Sequence, residues 1–324
     1  MTRTRSIALI GGCALALSAC GGAANGDADN ASGATIEVED NNGTQQVPSP
    51  PTSVVATDNR TFETLADWGI ELSAAAVTLM PATNPYTKDD SIVDLGSHRE
   101  PDLEAVVAVQ PDLIINGMRY AEYEDTLADL VPDATILNLD PREDKPFADE
   151  LKRQTTVLGE VFDKQDAAKE LNADFDEAIA RAKKAYTPGD TVMAINTSGG
   201  EIGYIAPTKG RVLGPVFDIL DLTPALEVDN ASDDHQGDDI SVEAIAKANP
   251  DWLLVMDRDA AVAAHEEGYL PAEQLLEKSA ALKKVTALKE GNVVFMPADT
   301  YTNDGIQTYT EFFNAFARDL EASR

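Results

Sequence analysis

Leu103-Glu104-Ala105-Val106-Val107-Ala108-Val109-Gln110-Pro111-Asp112-Leu113-Ile114-Ile115 recurs, at an offset of 139 residues, as Val242-Glu243-Ala244-Ile245-Ala246-Lys247-Ala248-Asn249-Pro250-Asp251-Trp252-Leu253-Leu254. Each copy reads as a short helix, a Pro-Asp turn and a buried strand. A proline ends the helix because it cannot continue the hydrogen-bond ladder, and the apolar run behind it suits a strand buried on both faces. Two such units in register imply two equivalent halves. The same offset pairs Arg119 with Arg258, so an arginine lies just beyond the corresponding strand in each half. Ligands of α/β sheets bind outside the carboxyl ends of the strands. Two lobes facing each other would therefore point both arginines into one cleft.

The flanking sequence has the same alternating character. Val54–Ala56, Leu113–Ile115 and Thr135–Leu139 read as strands of the first half, with a helix from Phe62 to Trp68 that closes at Gly69. Val192–Asn196, Ile202–Ile205, Leu253–Val255 and Val293–Phe295 read as strands of the second. Alternation of this kind predicts parallel α/β architecture. Residues 146–186 differ, being almost continuously helical: Leu151, Leu158, Val161 and Phe162 share one face, and Ala168, Leu171, Phe175, Ile179 and Ala182 continue at helical steps. Gly159 and Asp163-Lys164 mark a break between two helices, and Thr187-Pro188-Gly189 ends the second. Thr35–Val38 and Gln45–Val47 read as a hairpin about Asn41-Asn42-Gly43.

The chain starts with Arg3 and Arg5, an apolar run from Ile7 to Ala19, and Leu17-Ser18-Ala19-Cys20. A basic start, a short apolar core and small residues before the cut describe a secretory signal. Leu-Ser-Ala-Cys resembles a bacterial lipobox, whose cysteine is acylated before cleavage. The expected organisation is a lipoprotein signal at 1–19, a flexible tether at 20–34, an N-terminal α/β lobe at 35–145, bridging helices at 146–187 and a C-terminal α/β lobe at 188–324. The alternative is an ordinary secretory signal with an incidental cysteine. Cys13 and Cys20 are the only cysteines, so a mature fold starting at Cys20 has no disulfide and rests on core packing.

The formal charge is −32, with 25 Lys and Arg against 57 Asp and Glu. Nucleic acid and anionic lipid need basic surface and are excluded as partners on this ground. In so acidic a chain a cluster of arginines needs a reason.

Gly96-Ser97-His98-Arg99-Glu100-Pro101-Asp102-Leu103-Glu104, Gln110–Ile115 and Arg119 resemble the substrate-binding lipoproteins of ABC importers for ferric siderophores. Asp221–Ala225, His235-Gln236-Gly237, Ile240–Glu243, Asn249-Pro250-Asp251 and Asp257–Ala261 follow the catecholate-binding branch. The resemblance covers roughly residues 35–320. It implies two Rossmann-like α/β lobes bridged by a long α-helix, a ligand cleft between them and little hinge motion. It also implies ligand-binding roles for Arg119, Arg258, Arg211, His235 and Tyr301. Arg211, in Lys209-Gly210-Arg211-Val212-Leu213-Gly214, stands one residue earlier than the pattern places it.

Planar guanidinium groups fork hydrogen bonds to catecholate oxygens and stack on their rings. His235 and Tyr301 would fill iron positions left open by a siderophore with few donor oxygens. Glu104 and Glu243 would dock onto a permease, one per lobe; the alternative for each is a glutamate favoured by its helix N-terminus. The expected protein is a monomer without intrinsic cofactor. It is held to the membrane by lipid alone, and it takes a ferric siderophore as ligand and an ABC permease as partner.

A haem-binding lipoprotein of the same fold is the rival reading, on His98-Arg99. A zinc or manganese binder is disfavoured, because only His98, His235 and His265 are present. An enzyme finds no support: there is no Gly-x-Ser-x-Gly elbow, Walker A loop or His-Glu-x-x-His.

Overall fold

The computed structural model describes residues 34–229 and 231–324. The signal, Cys20 and the tether up to Gly33 lie outside the described residues.

Two parallel sheets form the two lobes. The first has the order β5-β4-β3-β6-β7, from β3 (Val54–Ala56), β4 (Ala74–Ala75), β5 (Val93–Asp94), β6 (Leu113–Asn116) and β7 (Thr135–Asn138). The second has the order β10-β8-β11-β12, from β8 (Thr191–Ser198), β10 (Thr223–Pro224), β11 (Trp252–Asp257) and β12 (Val293–Phe295). There, β9 (Glu201–Ile205) pairs antiparallel with β8. The hairpin of β1 (Thr35–Asp40) and β2 (Gly43–Pro48) packs Val38 and Val47 into the first lobe's core. Its turn differs from the primed type that Asn-Gly favours. Gly43 takes φ 108°, whereas neither Asn41 nor Asn42 has positive φ.

The repeat has a structural counterpart in both lobes. Its helices, Leu103–Val109 and Val242–Ala248, are capped by Asp102 and Ser241, whose side chains accept from the backbone N–H of Ala105 and Ala244. Both end on a left-handed residue before proline, Gln110 at φ 48° and Asn249 at φ 49°. The aspartate that follows ties each turn to the start of the neighbouring strand. Asp112 accepts from Thr52 N (2.8 Å), Thr52 Oγ1 (2.7 Å) and Ser53 N (3.0 Å). Asp251 accepts from Thr191 N (2.7 Å) and Oγ1 (2.8 Å). Thr52 and Thr191 are themselves one repeat offset apart.

The cores follow from the strand period of two. In the second lobe Val192, Ala194, Leu254 and Met256 face one core, and Met193, Ile195, Leu253 and Val255 face another.

The bridge breaks where the sequence predicts. Phe147–Val161 and Gln165–Ala185 are separate helices, with Asp163 at φ 55° between them. The 15-residue first helix makes the crossing: Leu151 lies in the second lobe's core, while Val157, Leu158 and Val161 lie in the first lobe's. The second helix lies along Ile306–Ala322, with the tilted rings of Phe175 and Phe313 5.9 Å apart. Gly159 permits the close approach of the two bridging helices, since a Cβ there would sit 2.7 Å from Ala168 Cβ.

Gly159→Leu is therefore expected to destabilise the protein by about 1–3 kcal/mol through overpacking. Equilibrium urea unfolding would show this as a lowered midpoint.

Candidate functional site

The lobes meet along a polar seam formed by the segment after β3 and the segment before the last helix. Asn59 Nδ2 donates to Thr302 O (3.0 Å), and Asn303 Nδ2 donates to Glu63 Oε2 (2.7 Å). Thr64 and Gln307 are hydrogen-bonded side chain to side chain. A Cβ at Gly305 would lie 2.6 Å from Arg60 O. Inside this seam Arg60 pairs with Asp140 (3.4 Å) and Asp304 (3.1 Å), and the fully buried Asp58 lies beside them. Asp58 accepts from Arg60 N (2.9 Å) and Gln154 Nε2 (2.8 Å). Three carboxyl groups around one guanidinium cannot all ionise cheaply. Burial, aided by the charge of Asp140, pushes Asp58 up to about 7.

Arg119 is positioned from this cluster. Gly117 lets the backbone pass between Asp140 and Asp58, either of which a Cβ would meet at 2.9 Å. Met118 N then donates to both Asp140 oxygens, at 3.0 and 2.9 Å. The next residue is Arg119, whose Nη1 donates to Asn59 Oδ1 and Nη2 to Tyr301 O, each at 2.9 Å.

Arg258 opens the helix Arg258–Val262, directly after β11. Asp257 caps that helix through Ala260 N (3.1 Å) and also accepts from Tyr269 Oη and Ala272 N, each at 2.9 Å. The two arginines anticipated from the repeat converge on Tyr301. The Arg119 Cζ is 5.1 Å from the centroid of its ring, and the Arg258 Cζ is 4.7 Å away. Burial opposes ionisation of Tyr301, but hydrogen bonding from Arg258 and the charges of Arg119 and Arg258 outweigh it. The phenol is drawn below its ordinary value.

Arg211, His235 and Tyr301 line one small cavity, together with Met118, Val212, Met256 and Asp304. Arg211 is held by a tight turn: Tyr309 Oη donates to Val212 O (2.9 Å), and a Cβ at Gly210 would meet Ile205 Cγ2 at 2.5 Å. His235 reaches the cavity because its loop lies directly on β9. A Cβ at Gly203 would stand 2.0 Å from Gln236 O, and Asn196 Nδ2 holds His235 O at 3.1 Å. The imidazole stays partly exposed, 3.8 Å from the Asp234 carboxylate.

The small cavity adjoins a cleft of about 1450 Å³, which shares Met118 and Arg211 with it. Eight residues lining the cleft are Lys or Arg and six are Asp or Glu, the reverse of a chain with 25 basic and 57 acidic residues. His98 also lines it. Burial and the charges of Arg119 and Arg99 hold that imidazole below its ordinary value, which favours its neutral form, and its Nδ1 is buried without a partner among the described residues.

All five ligand residues anticipated from sequence thus lie in one region. Glu104 and Glu243 stand apart from it, exposed and in equivalent first turns of the two repeat helices. The Asp58–Arg60–Asp140–Asp304 cluster was not anticipated. Its one sequence signal is that Asp58-Asn59-Arg60 follows the end of β3, the position at which α/β sheets place functional residues.

Residues 54–300 match the model of the periplasmic binding protein family. The chain belongs to that family. Its members are binding proteins, and several relatives are characterised by ligand. The petrobactin-binding protein YclQ of Bacillus subtilis (strain 168) is 30% identical over 287 residues, 87% of this chain and 86% of that protein. The ferric-anguibactin-binding protein FatB of Vibrio anguillarum (strain ATCC 68554 / 775) is 29% identical over 272 residues, covering 82% and 81%. YfiY of Bacillus subtilis (strain 168), described as a probable siderophore-binding lipoprotein, is 28% identical over 211 residues, covering 61% and 62%. The crystal structure of YclQ superposes with a TM-score of 0.75 at 27% identity, covering 89% of this chain and 99% of that one. The likeness establishes the two-lobe α/β fold anticipated from the repeat.

The seam carries a testable electrostatic signature. Asp58 has a folded-state value of about 7, raised above the ordinary 3.8. The native state therefore holds a proton that the unfolded chain releases, and stability falls as pH rises through that window. Asp58→Asn, a permanently neutral isostere, is expected to remove this fall. Unfolding free energies measured from pH 4 to 8 should show the variant gaining on the wild type as pH rises. A constant difference would place the proton elsewhere.

Proposed function

We propose that this protein captures a ferric siderophore, with catecholate groups in its chelating head, and delivers it to an ABC importer. The observation that carries the reading is the stacking of Arg119 and Arg258 on Tyr301, at matched strand ends of the two lobes and beside a cleft of locally reversed charge. A ferric catecholate is a bulky anion with aromatic faces. Guanidinium groups meet both properties at once, stacking on rings and forking hydrogen bonds to oxygens. The surrounding acidity repels anions everywhere else and so confines docking to the cleft. The relatives named for petrobactin and ferric anguibactin support a siderophore as ligand.

Tyr301 and His235 share the small cavity and complete the iron's coordination when the siderophore leaves positions open. The lowered value of Tyr301 favours this, because the phenolate is the form that binds iron. Cys20 is acylated and anchors the mature chain on the outer face of the membrane. Among the described residues no helix is long and apolar enough to cross it. Binding involves no chemistry on the ligand. A second reading, haem capture, rests on His98, which lines the cleft with its neutral form favoured.

Titration of the lipid-free protein with ferric catecholates, a ferric hydroxamate and haemin, followed by tryptophan fluorescence, separates the readings. A catecholate alone is expected to quench saturably. Arg119→Ala and Arg258→Ala should each weaken it about 10- to 100-fold, the loss of a charged hydrogen bond. His235→Ala should shift the visible band of a tetradentate complex, but not of a hexadentate one. Tight haemin binding with a Soret band lost in His98→Ala would favour haem instead.

Glu104 and Glu243 are the docking points for the permease on this reading. Reversing both charges, Glu104→Arg with Glu243→Arg, is expected to abolish iron uptake in cells while leaving ligand affinity intact. Unimpaired uptake would remove that role.

A further inference from the structure

The cleft is lined by two chemically different sets of side chains. Arg119, Lys209 and Arg211 line it with no carboxylate within 4 Å among the described residues. Toward the bridging helices the cations are already neutralised from within the protein. Arg142 lies 2.6 Å from Glu150, Lys145 3.1 Å from Asp144, Lys152 2.9 Å from Asp176, and Lys183 3.0 Å from Asp221. The cleft also presents half-buried apolar side chains, Phe147, Ala148, Ile179, Pro215 and Ile219. Phe147, Ala148, Ile179 and Ile219 rest on the second lobe's core, so these side chains are backed by packed protein.

The dimensions leave room for more than a compact head. Pockets for single small ligands occupy about 300–1,000 Å³, and this cleft measures about 1450 Å³. Free cations attract a charged head; half-buried apolar side chains gain by being covered with apolar surface.

We propose that the ligand carries an uncharged aliphatic arm, which lies along Phe147, Ala148, Ile179, Pro215 and Ile219 while the chelated iron sits among Arg119, Lys209 and Arg211. The proposal rests on the ferric-catecholate reading above and specifies the class of siderophore: an amphiphilic one, its chelating head anionic and its tail apolar.

The test compares two ferric complexes by isothermal titration calorimetry on the lipid-free protein. One is a tris-catecholamide complex; the other is the same complex bearing an octanoyl chain. The acylated complex is expected to bind at least tenfold more tightly. Ile179→Gln and Ile219→Gln should each bring the ratio of the two dissociation constants toward one. Val93→Gln, at an exposed apolar residue outside the cleft, should keep it. Thermal unfolding checks that each variant is folded. Equal affinity of the two complexes, or a ratio that survives both isoleucine variants, would overturn the arm while leaving catecholate binding in place. Failure of both complexes to bind would overturn the catecholate reading itself, and the arm with it.

Discussion

The arrangement of this molecule depends on one buried guanidinium. Arg60 leaves the end of β3 and joins Asp140 of its own lobe to Asp304 of the other, with Asp58 fully buried alongside. Desolvating such charges is costly, and a buried ionic cluster contributes specificity of arrangement more than net stability. A three-to-one ratio of carboxyl to guanidinium also gives Asp58 reason to hold its proton near neutrality. The cluster admits few alternative geometries. It therefore sets how the two lobes face each other, with the crossing helix Phe147–Val161 as a second tie.

The candidate binding residues inherit their positions from that seam. Asp140, which pairs with Arg60, also holds Met118 N, and Arg119 follows in the chain. Asp304 follows Tyr301 by three residues and lines the same small cavity. Arg258 arrives independently, at the end of β11, and meets Arg119 only across the ring of Tyr301. A site of this kind is preorganised: its cations are positioned by hydrogen bonds to Asn59, Ser198 and the Tyr301 backbone. Little conformational entropy is then left to lose on binding.

Much of the fold was legible because it is written in local patterns. The Pro-Asp repeat works through contacts that sequence can express: a capped helix, a left-handed stop and an aspartate bonded to a threonine one strand away. The run Leu113–Ile115 is apolar throughout because both faces of its strand are covered. The break between bridging helices follows from Gly159 and Asp163. The two-residue strands β4, β5 and β10 were not legible, since two residues show no periodicity and pair only because a neighbouring strand offers an edge.

The sequence by itself determined that the chain is two α/β halves and that an arginine ends the repeat strand of each. It also supplied the candidates Arg211, His235 and Tyr301. Only the tertiary structure decided that a tyrosine ring lies between those arginines, that the cleft's charges divide into free and paired, and that four titratable groups cluster in the seam. Helix and strand patterns arise from neighbours along the chain. Charge pairing and stacking join residues as far apart in the chain as Arg60 and Asp304, or Arg119 and Tyr301, whose meeting no local spacing encodes.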